Sequence, residues 1–347
     1  MLFETYDLPF DAQGAQLFVG LALGLLFGVA AQISRFCLRR GLVAGSDQRA
    51  ALGTWLSALA VAVAGTTAAI ALGWVDLSDH RLMVSELPLL AVVVGGLSFG
   101  VGMVLTRGCI SRLTVLGGTG NLRALTVLLI FAVVAHATLK GVFAPLRVAL
   151  GSVTVDTGLA SLAELPGGAV TWGAVLVAML VAAVAWLRPR PLHVALAAVI
   201  GLLITAGWVA TGLLFFDEFE PQPVQSLAFT STWADSLFWT VASSSIPAGF
   251  GVGLVGGVFG GAFLSALLRG ELQFASFETA GQTLRYAAGA ALMGFGGVLA
   301  GGCTVGAGLS GVSMLSLAAL VALGSIAAGA LIADRALNRG PVLQPAE

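Results

Sequence analysis

Long apolar runs alternate with short charged or Pro/Gly-rich breaks along the chain. Most runs have about the 20 residues that a helix needs to cross a bilayer. The pattern predicts about nine spans, at 16–34, 52–74, 88–107, 122–141, 168–187, 192–215, 236–268, 279–300 and 314–333. The seventh is too long for one straight crossing, and Pro247 in "SSSIPAGFG" predicts a break into a short piece and a full helix. The predicted fold class is an all-α polytopic membrane protein in a lipid bilayer.

Composition excludes an ordinary soluble domain. The chain has 347 residues, of which 58% are hydrophobic and 10% are charged, whereas soluble domains have about 25% charged residues. It has no basic stretch of the kind that nucleic acid requires, so we predict no nucleic-acid partner. Three cysteines are too few for a disulfide framework. We predict no metal site and no cofactor.

Charged residues orient the spans. One side carries Arg35, Arg39, Arg40, Arg49, Arg107, Arg112, Arg123, Arg188, Arg190, Arg269, Arg335 and Arg339. The opposite loops carry Asp76, Asp79, Glu86, Asp156, Glu164, Asp217, Glu218 and Glu220. Two cations, Lys140 and Arg147, also lie on this acidic side, against the trend. The positive-inside rule then predicts a multi-pass protein of the cytoplasmic (inner) membrane, with its N-terminus outside and its C-terminus in the cytoplasm.

A repeat links spans three and eight. Gly95, Gly100, Gly102, Gly108 and Cys109 recur as Gly289, Gly294, Gly296, Gly302 and Cys303, at one constant offset. Span three runs inward and span eight outward, so the repeat predicts two inverted, pseudo-symmetric halves, a device typical of transporters. We place the half-repeats at about 16–141 and 236–333, with connecting spans at 168–215, in one domain of residues 1–347. The glycines of span one also resemble those of span seven.

Glycine and cysteine meet where both repeated spans stop. In "MVLTRGCISRLTVLGGTGN" and "GVLAGGCTVGAGLSG" an apolar span ends at Gly-Cys, continues for about two turns and meets more glycine. This predicts short re-entrant or broken helices, because non-helical backbone at membrane depth is tolerated only inside protein or along a cavity. A helix that begins at the cysteine aims free N–H groups at an anion, and the thiol adds a soft donor.

A small sulfur-containing anion suits such a site, because its sulfur can meet thiols while its oxygens meet amides and hydroxyls. Cys37, in "QISRFCLRRGL", is a third thiol, although the repeat places Ala266 at the corresponding position. The predicted anion path is lined by Cys37, Cys109, Cys303, Gly108, Gly302, Ser111 and Thr304. Arg39 and Arg107 are candidates for attracting the anion to the inner mouth.

The stretches "RFCLRRG", "TRGCISRLTVLGGTGNLRAL" and "GGVLAGGCTVGAGLSGVS" resemble the YeeE/YedE family of sulfur-transport membrane proteins, whose characterised members take up thiosulfate. The resemblance extends from about residue 16 to residue 333. It implies about nine spans with short re-entrant helices, and a narrow path lined by Cys37, Cys109 and Cys303. It also implies a small cytoplasmic sulfur carrier of the TusA type as a partner.

The leading hypothesis is therefore a transporter, not an enzyme, that takes thiosulfate or a related anion into the cytoplasm. Two alternatives stay open. One is a membrane sulfurtransferase in which a cysteine of lowered pKa takes a sulfane sulfur as a persulfide. The other is a permease for another sulfur or selenium species or an unrelated small solute, with the thiols serving only as packing residues.

Overall fold

A computed structural model describes residues 12–215 and 222–338. Two short strands, β1 (Glu86–Leu87) and β2 (Val155–Asp156), pair antiparallel. The remaining regular structure is helical. The α-helices are α1 (Ala12–Ser34), α2 (Leu38–Leu42), α3 (Gln48–Ala71), α4 (Leu89–Leu105), α5 (Ile110–Gly118), α6 (Leu122–Lys140), α7 (Ala144–Gly151), α8 (Gly168–Leu187), α9 (Pro191–Val209), α10 (Thr230–Ala242), α11 (Phe250–Arg269), α12 (Ala280–Leu299) and α13 (Leu317–Asn338).

The helices confirm a polytopic membrane protein. Within the described residues, eight stretches are long and apolar enough to cross a membrane: Gln13–Leu42, Gln48–Ala71, Leu89–Gly118, Leu122–Lys140, Gly168–Leu187, Pro191–Leu214, Phe250–Arg269 and Leu317–Leu337. The eighth predicted span, 279–300, is α12, which is not among these eight stretches; it has 20 residues and packs against α4 and α6. Large apolar side chains such as Leu129, Met179 and Phe263 are exposed on the protein surface, as expected where helices face lipid chains.

The break predicted near Pro247 is confirmed. The α10 helix ends at Ala242 and α11 begins at Phe250. With 13 residues, α10 is about 20 Å long and cannot cross the hydrocarbon core. It packs against α6 and α11 instead.

Glycines bring α1 and α11 into backbone contact. Gly253, Gly257 and Gly261 of α11 face the carbonyl oxygens of Leu17, Leu21 and Leu25, in that order. A Cβ at any of the three would overlap those oxygens, so only glycine permits this distance. Because the numbers rise together on both helices, α1 and α11 are parallel. Two helices related as inverted repeats would be antiparallel. The glycine resemblance between spans one and seven therefore does not reflect an inverted repeat.

The second glycine-rich contact joins α4 to α12. Gly95 faces Ala300, just beyond the end of α12, whereas Gly102 faces Gly289. The numbers run in opposite directions, so these two helices are antiparallel, which is the direction that the inverted arrangement predicts for this pair. The division into half-repeats at 16–141 and 236–333 stays a prediction.

Two membrane faces are distinguished below. The arginine face is where α1 and α4 end, at Arg35 and Arg107. The loop face holds the segment 72–88, the β1–β2 pair and a separate, isolated bridge between Ser161 and Ser316. Four of the charged residues used to predict the orientation lie outside the described residues: Asp217, Glu218, Glu220 and Arg339.

Candidate functional site

All three cysteines follow a helix end with the same backbone geometry. Arg35, Arg107 and Gly301 have positive φ angles of 51°, 58° and 73°, and each precedes a cysteine by two residues. A left-handed residue just after a helix reverses the chain and ends the helix. At α1 and α4 the reversal is completed by the same bond, from the residue after the arginine to a carbonyl five residues back, at 3.1 Å.

Two of these reversals use arginine where glycine is usual. A non-glycine residue with positive φ is uncommon, and strained backbone of this kind clusters at functional sites. The geometry recurs at Arg35 and Arg107, so Cys37 and Cys109 leave their helix ends in the same way. Cys37 therefore belongs with the two repeat-matched cysteines, although the repeat itself places Ala266 at its position.

Cys37 and Cys109 form a pair. Their Sγ atoms are 3.9 Å apart, which is well beyond the S–S bond length of about 2.05 Å, and both are free thiols. Cys109 occupies the N-cap position of α5 and Cys37 that of α2, and neither side chain makes a capping hydrogen bond. Ser111 Oγ lies 3.3 Å from Cys109 Sγ, beside the thiol where the sequence predicts it. The predicted line of three thiols is thus a contacting pair and a third thiol elsewhere.

Cys303 is fully buried, and its Sγ accepts the N–H of Gly306 at 3.4 Å. The turn that follows is a π-helix, Gly306–Gly311, where the sequence predicts an ordinary helix beginning at the cysteine. Gly302 has no room for a side chain, because its Cβ would lie 2.6 Å from the backbone nitrogen of Ala307. The Thr304 hydroxyl is buried and has no hydrogen-bond partner among the described residues. A buried hydroxyl in that state is costly, so the position suits a ligand oxygen.

A cavity of about 350 Å³ opens on the loop face beside Cys303. We call it the loop cavity. It is lined by the 76–82 loop, by residues of the segment 223–232, and by Trp208, Gly306 and Ser310. Gly306 is the residue that donates to Cys303, so the cavity reaches the turn that carries this thiol.

Arg81 gives the loop cavity a positive charge that the sequence reasoning missed. Its guanidinium interacts electrostatically with Cys303, and burial lowers its pKa, but an arginine stays protonated in proteins. The neighbouring His80 packs edge-on against Trp208, with the two ring centroids 5.2 Å apart. Burial and the charge of Arg81 lower the pKa of His80 to about 4, so the imidazole is neutral at neutral pH. Asp76 and Asp79 also line this cavity.

Buried aromatic rings link the region of Cys303 to the thiol pair. The centroid of the Phe27 ring lies 5.3 Å from that of Phe229 and 6.5 Å from that of Phe36. Phe36 precedes Cys37, while Phe229 follows Ala228, which faces Gly306. All three rings are buried. Packed aromatic rings centred on Phe27 therefore lie between the thiol pair and the region of Cys303.

A second large cavity, of about 460 Å³, opens on the arginine face. This arginine cavity is lined by Arg35, Arg40 and Arg112, with Gln32, Asp47 and Glu271 among its other residues. The predicted mouth residues lie elsewhere. Arg107 lines a smaller cavity of about 200 Å³, and Arg39 interacts electrostatically with Arg107. Arg112 lies one turn after Cys109 on the helix that this cysteine begins, a spacing that was visible in the sequence.

A multi-pass helical bundle with a cavity on each face and buried thiols at its helix breaks is typical of a membrane transport protein. The chain belongs to the Sulphur transport family, whose model matches residues 33–332. This confirms the resemblance found at the cysteine motifs, and it places the chain among transporters instead of enzymes.

Two characterised relatives carry the same name. The chain is 29% identical over 330 residues to the thiosulfate transporter TsuA of Escherichia coli, covering 86% of this chain and 88% of that protein. It is 29% identical over 327 residues to the thiosulfate transporter TsuA of Spirochaeta thermophila, covering 88% of this chain and 94% of that protein. The similarity thus extends over nearly the full length of all three proteins.

Proposed function

We propose that this protein carries thiosulfate into the cytoplasm, from the loop cavity past Cys303 and then past Cys109 and Cys37 to the arginine cavity. The observation that carries the proposal is the arrangement of three buried thiols, each two residues after a left-handed helix end, between cavities on opposite faces. Family membership and the names of the two relatives support the substrate class.

Two of the three thiols sit beside a hydroxyl group. Cys109 has the Ser111 hydroxyl at 3.3 Å, and Cys303 lies next to Thr304, whose hydroxyl is unpartnered within the described residues. A thiol is a weak donor and a weak acceptor, so it meets a soft sulfur without holding it tightly. Weak sites in series let an ion move from one to the next.

Orientation and partner follow from the same proposal. The arginine face is cytoplasmic and the N-terminus lies outside, in agreement with the positive-inside rule, and the membrane is the inner one. In the cytoplasm, a cysteine thiolate of a small sulfur-carrier protein of the TusA type attacks the sulfane sulfur of the delivered thiosulfate, which breaks its S–S bond, forms a persulfide on the carrier and releases sulfite. Binding of such a carrier to the arginine face in a pull-down with the full-length chain tests this part separately.

Uptake by purified protein in liposomes tests the function directly. Thiosulfate radiolabelled at its sulfane sulfur and, in a parallel sample, at its sulfonate sulfur should accumulate at equal rates. Equal rates mean that the intact ion crosses. Uptake of the sulfane label alone, with sulfite left outside and a persulfide on Cys109 in the mass spectrum, would instead identify a sulfurtransferase. Absence of uptake of either label would refute both.

Arg81 should set the affinity on the loop face. Arg81→Gln removes the positive charge beside Cys303 while it keeps a polar side chain, so the KM for thiosulfate uptake should rise about tenfold, equivalent to about 1.4 kcal/mol, with kcat nearly unchanged. Asp79→Asn is the matched control, because removing a negative charge from the same cavity should lower KM. Equal KM values in the two variants and the parent would contradict this role of Arg81.

A further inference from the structure

The lining of the arginine cavity includes carboxylate side chains as well as guanidinium groups. Three guanidinium groups, from Arg35, Arg40 and Arg112, face two carboxylates, from Asp47 and Glu271, so the charged side chains sum to a net single positive charge. The other lining residues are mostly polar, with Gln32, Thr119, Asn121 and Gln273 among them. Such a lining suits a small oxyanion, which guanidinium and amide N–H groups bind well.

Arg112 joins this cavity to the thiol pair. Its guanidinium interacts electrostatically with Cys37 and Cys109. Its Nη1 donates to the carbonyl of Ala31 and to Gln32 Oε1, each at 3.4 Å. An anion that leaves the two thiols toward the arginine face therefore meets Arg112 and Gln32 next.

Glu271 already engages the Gln32 amide, one of the groups that could bind an anion here. Its Oε2 accepts from Gln32 Nε2 at 3.2 Å, while Oε1 pairs with Arg269 Nη2 at 3.0 Å. The Arg269 guanidinium, aided by the Gln32 amide, holds the pKa of the Glu271 carboxyl below its usual range, so the group is ionised at neutral pH. Asp47 likewise pairs with Arg40.

The backbone holds Glu271 in this position. Its N–H donates to the carbonyl of Ala266 at 2.8 Å, which ties it to the end of α11. Two residues later, the Gln273 N–H donates to the Thr119 carbonyl at 3.1 Å, next to the end of α5. The carboxylate is thus presented to Gln32 by a segment fixed at both ends.

Building on the anion transport proposed above, we propose that the arginine cavity is the exit site for the oxyanion and that Glu271, with Asp47, acts as a built-in competing anion. The carboxylate takes the Gln32 amide and offsets guanidinium charge, which keeps the affinity for the departing dianion low. An ion-conducting site must bind strongly enough to be occupied and weakly enough to be vacated. When Glu271 is neutral, the cavity charge rises by one unit and release slows.

Glu271→Gln tests the proposal, because it removes the charge and retains the length of the side chain. Thiosulfate should bind to the purified variant with a Kd about tenfold lower, and uptake should show a lower kcat together with a lower KM. Glu278→Gln, in the same segment, is the matched control and should leave both constants unchanged. Asp47→Asn should tighten binding in the same direction, and it keeps the test available if Glu271→Gln fails to fold.

Three results would overturn the proposal: an unchanged Kd in both cavity variants, weaker binding in either, or a loss of kcat with KM unchanged, which indicates a purely structural role for Glu271. Each can be recognised only against a parent protein that transports thiosulfate. A parent that neither binds nor transports the ion contradicts the proposed function itself, so the two failures are distinguishable.

Discussion

Replacing Cys109 with alanine should reduce thiosulfate uptake about 10- to 100-fold. Three features of the proposed path meet at Cys109: its Sγ contacts Cys37 and Ser111, it occupies the N-cap position of α5, and Arg112 follows one turn later. A hydrogen bond to a charged ligand contributes about 1.5–3 kcal/mol, which corresponds to that range of rates. Cys303→Ala should have an effect of similar size. The measurement is initial-rate uptake by liposomes that contain equal amounts of folded protein.

Thr126→Ala is the control, because the Thr126 hydroxyl donates to Leu122 of its own helix, α6. This variant should transport like the parent. Cys109→Ser separates the two roles of the thiol, since a hydroxyl still bonds to an oxyanion but lacks the soft sulfur. If Cys109→Ala and Cys303→Ala both transport at the parent rate, the thiols are packing residues and the proposed path is wrong.

The sequence was informative wherever residue type alone decides the structure. A run of apolar residues has few alternatives to a spanning helix in lipid, and Pro247 cannot continue one, so the helices and the break between α10 and α11 were predictable. The Gly-Cys junctions also predicted where α4 and α12 stop. These helices end at Leu105 and Leu299, each three residues before the glycine of its junction.

The shared geometry of the three cysteines was not predictable in the same way. Glycine adopts positive φ readily, so Gly301 fits the usual pattern, but Arg35 and Arg107 adopt it against their own preference. Only tertiary packing holds a non-glycine residue there, and tertiary packing does not show in a list of residue types. The sequence comparison therefore set Cys37 apart, whereas the backbone groups it with the other two.

The sequence pattern treated Arg112 only as a topology signal and assigned no role to Arg81. Arg81 lies in an otherwise acidic loop and Arg112 within a predicted re-entrant helix, so neither stood out as a candidate for anion binding. Their roles depend on which residues surround them: the cavity at Cys303 for Arg81, and Gln32 with the thiol pair for Arg112. Distances across the fold decide this, and a single sequence does not contain them.

The contact between α1 and α11 should be highly sensitive to a single added methyl group. At Gly257 a Cβ would lie 2.8 Å from the backbone nitrogen of Leu25 and would overlap the carbonyl of Leu21. Gly257→Ala should therefore destabilise the protein by about 1–3 kcal/mol through overpacking, although alanine has the higher helix propensity by about 1 kcal/mol. Thermal unfolding in detergent, followed by loss of the monodisperse peak in size-exclusion chromatography, measures the change.

Gly260 provides the matched control on the same helix. A Cβ at Gly260 meets no atom within 4 Å, so Gly260→Ala gains the propensity term without the overlap and should melt at the parent temperature or above it. The opposite signs of two identical substitutions, three residues apart, isolate the close approach of the backbones from any general effect of glycine in α11. If Gly257→Ala is as stable as Gly260→Ala, the two helices do not pack through their glycines. Because α1 leads into Cys37 and Gln32 lies in its last turn, a shift of α1 would also displace the thiol pair from Arg112, so uptake should fall with stability at Gly257 but not at Gly260.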